Sequence, residues 1–225
     1  MTGYAQTPRP DSFEKRFLPK TPHVQKNVDE VSRAFGCPPA WTLLSERTAR
    51  RFPSWRSASF LYLRPSPLEE GTSPVFRGDD GELVPRYLLP ARVREGLGFW
   101  LHSSRHHYWV WLHSADLEVP AYEQIATIDS GTATRGRKLC RSIERATGIP
   151  TYYFLLKYYS RVGDKDRPCP GCGRRWLLPG DGPSLSRYIQ FLCRRYRLVS
   201  EEGRDLSSPG LARIGEYRGA TRRKR

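Results

Sequence analysis

Three cysteines in the C-terminal third of the chain have the spacing of metal ligands. Cys169 and Cys172 form a C-x-x-C pair around Pro-Gly, and Gly173 follows directly. Two intervening residues make a tight turn that brings both thiolates onto one cation, and the glycine permits the positive φ of such a turn. Cys193 follows after 20 further residues, the upper end of zinc-ribbon spacing. These three residues predict a zinc site.

The predicted site is one ligand short of a structural zinc site, which takes four. Tyr196 stands where a fourth cysteine would be, and a phenol with a pKa of about 10 is a poor ligand at neutral pH. Asp181, a histidine from an earlier strand, or water would complete the shell. Three interpretations stay open: the cysteines are remnants of a former zinc ribbon, they bind zinc with an imperfect fourth ligand, or they are redox-active. A redox pair would sit at the start of a helix rather than in this turn.

Basic residues surround the cysteines. The chain of 225 residues has a formal net charge of +15, and residues 167–225 contain 14 basic but 5 acidic residues. Such a charge is typical of proteins that bind a polyanion. We predict a surface for DNA or RNA in which arginines contact phosphates and an exposed Trp176 or Tyr188 stacks on a base. The predicted contacts are Arg174, Arg175, Trp176, Arg187, Arg194, Arg195 and Arg197.

Other polar side chains give weaker signals. Residues 98–113, GFWLHSSRHHYWVWLH, contain four histidines. We predict a strand there with Trp109, Trp111 and His113 on one face, so that the histidines pack on a sheet and do not bind metal. No arrangement of acids and bases in the chain selects a reaction, and we expect a protein that is not an enzyme.

The clearest secondary-structure signals precede the cysteines. Asp129 or Ser130 can cap a basic helix over residues 131–147, with Gly148 as its C-terminal stop. The run TYYFLLKYY, residues 151–159, predicts a strand in the interior of a sheet because aromatic residues occupy both of its faces. Further elements are expected as two short helices over 28–52, separated at Gly36, and strands at 57–63, 84–89 and 188–192.

These elements predict an α+β fold of mixed short strands and helices with a C-terminal zinc-ribbon-like β subdomain. The predicted regions are a flexible arm 1–27, an α+β region 28–120, a helix plus zinc-ribbon-like region 121–200, and a basic tail 201–225. No apolar run approaches the roughly 20 residues of a membrane span, and the N-terminus lacks a signal peptide. We therefore expect a cytoplasmic protein with no membrane partner and with reduced cysteines.

Several short motifs occur in an order that resembles a known family. Between Tyr122 and Ser200 the chain has a helix with Cys140, then TGIPTYY, CPGCGRRW, and Cys193 followed by RRYRL. This block resembles the C-terminal half of the bacterial zinc-ribbon-containing, candidate nucleic-acid-binding proteins, a family of unknown function. The resemblance implies a zinc-ribbon-like fold, a role with nucleic acid, and C-x-x-C motifs that have lost ligands. It also implies an upstream C-x-x-C where this chain has Arg77 and Asp80.

A second function stays open on the same residues. A ribbon that has lost ligands but kept its fold suits a protein-binding module, for instance a toxin-neutralising or regulatory protein with an acidic protein partner. Such a surface depends on shape more than on metal, because function resides in the site rather than in the fold.

Overall fold

The computed structural model describes residues 22–38, 40, 54–65, 73–179 and 189–219. The chain divides into two compact units, residues 1–51 and 52–225. In the first unit, helix α1 spans Pro22–Phe35 and ends at Gly36, which has a φ of 69°. The predicted break at Gly36 is thus confirmed, whereas the predicted flexible arm overlaps the start of α1. The rest of the arm, and most of the second short helix expected before residue 53, lie outside the described residues.

A five-stranded mixed sheet, in the order β2-β1-β3-β5-β4, organises the second unit. The strands are β1 Leu61–Leu63, β2 Val75–Arg77, β3 Thr151–Phe154, β4 Phe191–Cys193 and β5 Leu198–Ser200. β3 pairs in parallel with both β1 and β5, and the outer pairs are antiparallel. The fold is therefore mixed α and β, as predicted. The strands near Cys193 extend this common sheet, so the described residues do not form the separate C-terminal β subdomain that we expected.

Helix α2, Ala91–His113, occupies the segment that we predicted to be a strand. Its buried residues recur every three or four positions, which is the period of a helix. They are Val93, Leu97, Trp100, Leu101, Ser104, Tyr108 and Trp111. The strand prediction was wrong because it depended on the end of the segment, WVWLH, in which side chains alternate as in a strand. In the helix, apolar side chains of this end, such as Trp109 and Leu112, are exposed to solvent.

Two smaller strand predictions also change in the structure. The strand expected at 84–89 is replaced by a 3-10 turn, Arg86–Leu88. The strand expected at 57–63 begins only at Leu61, after a 3-10 turn at Trp55–Ser57. β2 instead forms from the preceding segment Val75–Arg77, which pairs with β1.

The basic helix is confirmed as α4, Gly131–Thr147. The Ser130 hydroxyl accepts a hydrogen bond from the N–H of Ala133 (3.0 Å), and Gly148 ends the helix with a φ of 75°. Helix α3, Glu118–Ala126, precedes it. The predicted boundary between residues 120 and 121 therefore falls inside a helix, and strands from both sides of that boundary share one sheet.

Strand β3 is central in the sheet and buried along its whole length, which confirms the interior position predicted for the run TYYFLLKYY. The strand predicted over 151–159 is shorter in the structure, because β3 ends at Phe154. Tyr153 packs on the face covered by α2 and α4, with Trp100 of α2 at 6.1 Å between ring centroids. Tyr152 and Phe154 pack on the other face, where Trp111 and Tyr122 belong to the same apolar cluster. Helices therefore cover both faces of the strand that leads to the cysteines.

The segment after β5 packs on the sheet up to residue 219. Ala212 is fully buried, and its carbonyl oxygen accepts a hydrogen bond from Nζ of Lys157. The described part of the predicted basic tail therefore belongs to the folded unit, and residues 220–225 lie outside the described residues. Among the helices that the structure describes, none combines the length and apolar character needed to cross a membrane.

Candidate metal centre

The three predicted ligands lie together. The Sγ atoms of Cys169, Cys172 and Cys193 are all within 4.8 Å of one another, and those of Cys172 and Cys193 are 3.7 Å apart. Zinc–thiolate bonds of about 2.3 Å in a tetrahedron place two sulfurs about 3.8 Å apart. The three cysteines therefore can hold a metal ion, and the distance between these two sulfur atoms matches the spacing that zinc requires.

The backbone of the first cysteine turn, residues 169–174, positions the thiols of Cys169 and Cys172. The N–H of Gly173 donates to the carbonyl of Cys169 (2.8 Å), and the N–H of Cys169 donates to the carbonyl of Arg174 (2.8 Å). The thiol of Cys169 accepts hydrogen bonds from the N–H groups of Gly171 and Cys172, and the thiol of Cys172 accepts one from Arg174. Gly173 has a φ of 71°, as the sequence predicted. Backbone N–H groups directed at both sulfurs favour thiolates over thiols.

The two thiols of this turn differ in acidity. Burial is the largest cause that raises the pKa of Cys169 to about 12 in the metal-free protein, and the neighbouring Cys193 adds to it. Burial also acts on Cys172, but hydrogen bonds from Arg174 and from the adjacent thiols outweigh it and lower its pKa. A bound cation removes the proton from a coordinating thiol. Metal binding at this centre would therefore release a proton from Cys169.

The fourth ligand is absent from the described residues, in which no histidine or carboxylate joins the three cysteines. The ring of Tyr196 packs against the first cysteine turn so closely that a Cβ at Gly171 would collide with it. Tyr196, at the sequence position where a zinc ribbon has its fourth cysteine, thus packs its aromatic ring against the first cysteine turn. Asp181, the alternative fourth ligand, lies outside the described residues.

The histidines, and the positions where the resemblance implies an upstream C-x-x-C, do not lie with the three cysteines. The histidines of residues 102–113 are carried by α2 and do not join the cysteine cluster. Arg77 and Asp80, the expected positions of an upstream C-x-x-C, lie at the end of β2 and in the turn after it, at the opposite edge of the sheet from β4. They form a salt bridge, with Nε of Arg77 2.9 Å from Oδ2 of Asp80. An ion pair therefore links the two positions where the resemblance implies cysteines.

The cysteine cluster brings two pairs of exposed arginines onto adjacent turns. Arg174 and Arg175 follow the first cysteine turn, and Arg194 and Arg195 form the turn after Cys193. All four are exposed to solvent. Four of the predicted phosphate-contacting residues are thus accessible near one another, whereas Arg187 and Tyr188 lie outside the described residues.

Trp176 and Arg197 have structural contacts that the sequence did not predict. Trp176 is 3% exposed, donates its indole N–H to the carbonyl of Arg167 (3.1 Å), and packs on Phe191. The exposed stacking surface predicted for Trp176 was therefore wrong. Arg197 is half-buried and forms an ion pair with Glu144 (2.9 Å). Its guanidinium group connects the second cysteine turn, residues 194–197, to Glu144 of α4.

A buried charge network beside the first cysteine turn was missed by the sequence analysis. Nζ of Lys157 lies 3.7 Å from Oδ2 of Asp164, and both side chains are almost fully buried. Burial lowers the pKa of Lys157 and lowers that of Arg167 to about 10. Arg167 donates hydrogen bonds to Oγ of Ser200 (2.9 Å) and to the carbonyl of Glu201 (2.8 Å). A lysine within the apolar run TYYFLLKYY was the available signal, since such a residue needs a partner.

Comparison with known proteins finds a family model and two relatives that are similar to parts of this chain. Residues 57–156 match a family model described as a domain of unknown function, DUF2310. Two uncharacterised proteins of Haemophilus influenzae (strain ATCC 51907 / DSM 11121 / KW20 / Rd) are each 28% identical over 162 residues, or 69% of this chain. The alignment covers 75% of one relative and 59% of the other, and no solved structure matches. The chain thus carries a region similar to a domain family of unknown function, has uncharacterised bacterial relatives, and holds three clustered cysteines.

Proposed function

We propose that this chain is a non-enzymatic nucleic-acid-binding protein whose arginine-bearing surface is organised by a zinc ion. Cys169, Cys172 and Cys193 would hold the metal, with water or an external ligand in the fourth position. The observation that carries the proposal is the placement of exposed arginine pairs on the two turns that these cysteines join. Zinc supplies a fixed cross-link between the turns, and the arginines supply the contacts to phosphate.

Charge and geometry both support this role. Arg174, Arg175, Arg194 and Arg195 form no ion pair with a described residue, and all four side chains are exposed to solvent. Guanidinium groups bind phosphate oxygens through two parallel N–H donors, and several such contacts along one face follow a nucleic-acid backbone. The excess of basic over acidic residues in 167–225 adds further positive charge, which also favours an anionic partner. A binding surface of this kind recognises the backbone rather than a base sequence.

The metal part of the proposal is tested by metal analysis of protein purified without added zinc. We expect about one zinc ion per chain, because structural sites of this type bind tightly. Cys193→Ser should reduce the content strongly, whereas Cys37→Ser, at an exposed cysteine outside the cluster, should leave it unchanged. Metal-free wild-type protein that also fails to take up zinc in a titration would refute this part.

The nucleic-acid part is tested by the salt dependence of binding. Fluorescence anisotropy with labelled single-stranded and double-stranded RNA and DNA would be recorded from low to physiological salt. Four phosphate contacts predict a slope of log K against log salt of about −2.8 for single strands. No binding, or binding without a salt slope, would contradict the proposal.

Matched variants separate this surface from the charge of the whole chain. Arg174→Gln/Arg194→Gln removes two charges from the two cysteine turns and should make the slope for single strands smaller by about 1.4. Lys26→Gln/Arg33→Gln removes two charges from exposed positions of α1 in the first unit. If both double variants weaken binding equally, the binding is non-specific attraction and the assignment to the cysteine turns fails.

A second candidate, a protein-binding module, is favoured by exposed aromatic residues on α2. Phe99 is 79% exposed and Trp109 is 48% exposed, and both are carried by α2. Large exposed apolar side chains are often found where a protein contacts a partner. In a pull-down from nuclease-treated lysate, an acidic partner lost with Phe99→Ser/Trp109→Ser, but kept with Arg174→Gln/Arg194→Gln, would favour this candidate. A partner that depends only on the arginines would count against it.

A further inference from the structure

An arginine-lined cleft lies between α4 and the second cysteine turn. Its volume is about 290 Å³, close to the lower end of the range for small-ligand sites. Arg137 and Arg141 of α4 line one side, and they share a helix face because they are four residues apart. The turn residues Arg195, Tyr196 and Arg197 line the other side, and the buried Cys140 and Thr151 complete the lining.

The charges around this cleft are unbalanced. Four arginines line it, and the carboxylate that α4 contributes nearby, Glu144, is already engaged by Arg197 (2.9 Å) and by the N–H of Thr151 (3.2 Å). Among described residues, Arg137, Arg141 and Arg195 form no ion pair. Like charges grouped around one concave surface repel each other, and an anion in the cleft relieves that repulsion.

The wall opposite α4 is held in an unusual conformation. Arg197 has a φ of 51°, the only positive φ among the described residues other than glycine. Such a conformation is unfavourable in a non-glycine residue and persists only when its surroundings impose it. Its guanidinium is fixed by Glu144, by the hydroxyl of Tyr152 (3.1 Å) and by the Tyr152 ring (5.2 Å to the centroid). Arg197 is therefore a positioning residue, which leaves Arg137, Arg141 and Arg195 to meet a ligand.

Tyr196 fixes the same wall from the other side. Its ring packs on Gly171 of the first cysteine turn, and the guanidinium of Arg137 lies 5.7 Å from its centroid. The cleft thus has rigid supports from α4, from β3 and from the cysteine cluster. A preformed concave site with several guanidinium groups suits a compact, multiply charged anion better than it suits an internal phosphodiester of a nucleic-acid strand.

We infer that this cleft binds a phosphate monoester, the terminal phosphate of a nucleic-acid strand or of a free nucleotide, through Arg137, Arg141 and Arg195. A monoester carries close to two negative charges near neutral pH and three acceptor oxygens, whereas an internal phosphodiester carries one charge and continues as a chain on both sides. If the ligand is the terminal phosphate of a nucleic-acid strand, this inference rests on the proposed function. The cleft would then add a preference for strand ends to the binding of the nucleic-acid backbone by the exposed arginines.

The test compares ligands that differ only at their ends. Single-stranded 12-mers with a 5′-phosphate, a 3′-phosphate or two hydroxyl ends are titrated by anisotropy, and AMP, adenosine and inorganic phosphate by calorimetry. One of the two phosphorylated strands should bind at least about tenfold tighter than the hydroxyl strand, since losing charge-assisted hydrogen bonds costs at least about that factor. AMP should bind and adenosine should not.

The variants assign any preference to the cleft. Arg141→Gln/Arg195→Gln should reduce the ratio between phosphorylated and hydroxyl strands to about one. Lys138→Gln/Arg145→Gln removes the same charge from exposed positions of α4 outside the cleft lining and should keep the ratio. Thermal unfolding of both doubles checks that each is folded. Because Arg141 and Arg195 are exposed, little loss of stability is expected.

The outcomes separate this inference from the proposed function. Equal binding of all three strands, with a salt slope, would overturn the terminal-phosphate site and leave nucleic-acid binding standing. Binding of AMP or phosphate that is lost in Arg141→Gln/Arg195→Gln, without binding of any strand, would remove the proposed function and identify a free nucleotide or phosphate as the ligand. A wild-type ratio of one, together with no binding of AMP or inorganic phosphate, would overturn the inference completely.

Discussion

The close approach of α4 to the central strand depends on one glycine. Gly136 faces β3, and a Cβ added there would collide with the Tyr153 ring, 2.8 Å from its Cδ2, and would lie 3.0 Å from Nε1 of Trp100. Neither ring can withdraw easily. Tyr153 is fully buried and Trp100 is 2% exposed, and the indole N–H of Trp100 donates to the carbonyl of Thr132 (3.0 Å). We therefore expect Gly136→Ala to destabilise the protein.

The size of the effect follows from two opposing contributions. Alanine is favoured over glycine within a helix by about 1 kcal/mol, whereas forcing an extra methyl group into a packed core costs about 1–3 kcal/mol. The net change for Gly136→Ala is a loss of up to about 2 kcal/mol in the free energy of unfolding. Gly98 of α2 is the matched control, because a Cβ there meets only the tip of the Arg86 side chain, which can move. Gly98→Ala should stabilise the protein by up to about 1 kcal/mol.

Urea unfolding followed by circular dichroism measures both changes. The two variants introduce the same methyl group into a helix. Opposite changes in the free energy of unfolding would therefore isolate the effect of the contact with Tyr153 and Trp100. For a domain of this size, each 1 kcal/mol corresponds to about 2–4 °C in Tm, which provides an independent check. If Gly136→Ala proves as stabilising as Gly98→Ala, the packing of α4 on β3 described above is incorrect.

Three further predictions concern the metal centre, the buried charges and pH. Tyr196→Cys supplies a fourth thiolate and should lower the Kd for zinc by at least about tenfold in competition with a chelator, whereas Tyr196→Phe should leave it unchanged unless the hydroxyl is a ligand. Asp164→Asn should lower the free energy of unfolding by about 3–5 kcal/mol, because it removes the nearest counter-charge of the buried Lys157 ammonium. A loss below about 1 kcal/mol would show that the pair is not buried as described. Burial, Arg135 and His106 lower the pKa of His107 below 6.5, so the unfolded chain binds the proton first. Stability should therefore be complete above pH 6.5 and fall as pH drops through the folded pKa, and His107→Gln should show a smaller drop in Tm between pH 7.5 and 5.5 than the wild type.

Elements whose signals lie close together in the sequence could be predicted, and elements that depend on distant residues could not. Helix α4 could be predicted because its cap at Ser130 and its stop at Gly148 are encoded within the helix and its immediate flanks. Helix α2 could not, because exposed aromatic residues such as Phe99 and Trp109 interrupt the apolar period that marks a buried helix face. The clustering of the three cysteines could be predicted from their spacing along the sequence. That spacing is typical of metal-binding turns and can be recognised without knowing the whole fold.

Features that need distant parts of the chain were beyond such patterns. The burial of Trp176 depends on Arg167 and Phe191, and the ion pair of Glu144 with Arg197 joins residues on separate elements. The cleft likewise requires α4 and the second cysteine turn to meet across β3. Each of these contacts arises from tertiary packing, which single-sequence periodicity does not encode.

The position of β3 in the sheet has a consequence for the solubility of fragments. The segment that matches the domain family, residues 57–156, contains β1, β2 and β3, whereas β5 and β4 come from residues 191–200. Cutting the chain after residue 156 would expose one edge of β3, with its aromatic run TYYF and unpaired backbone N–H and C=O groups. Such an edge is a template for strand addition from another molecule and hence for aggregation. The hairpin that carries Cys193 therefore also shields the chain from self-association.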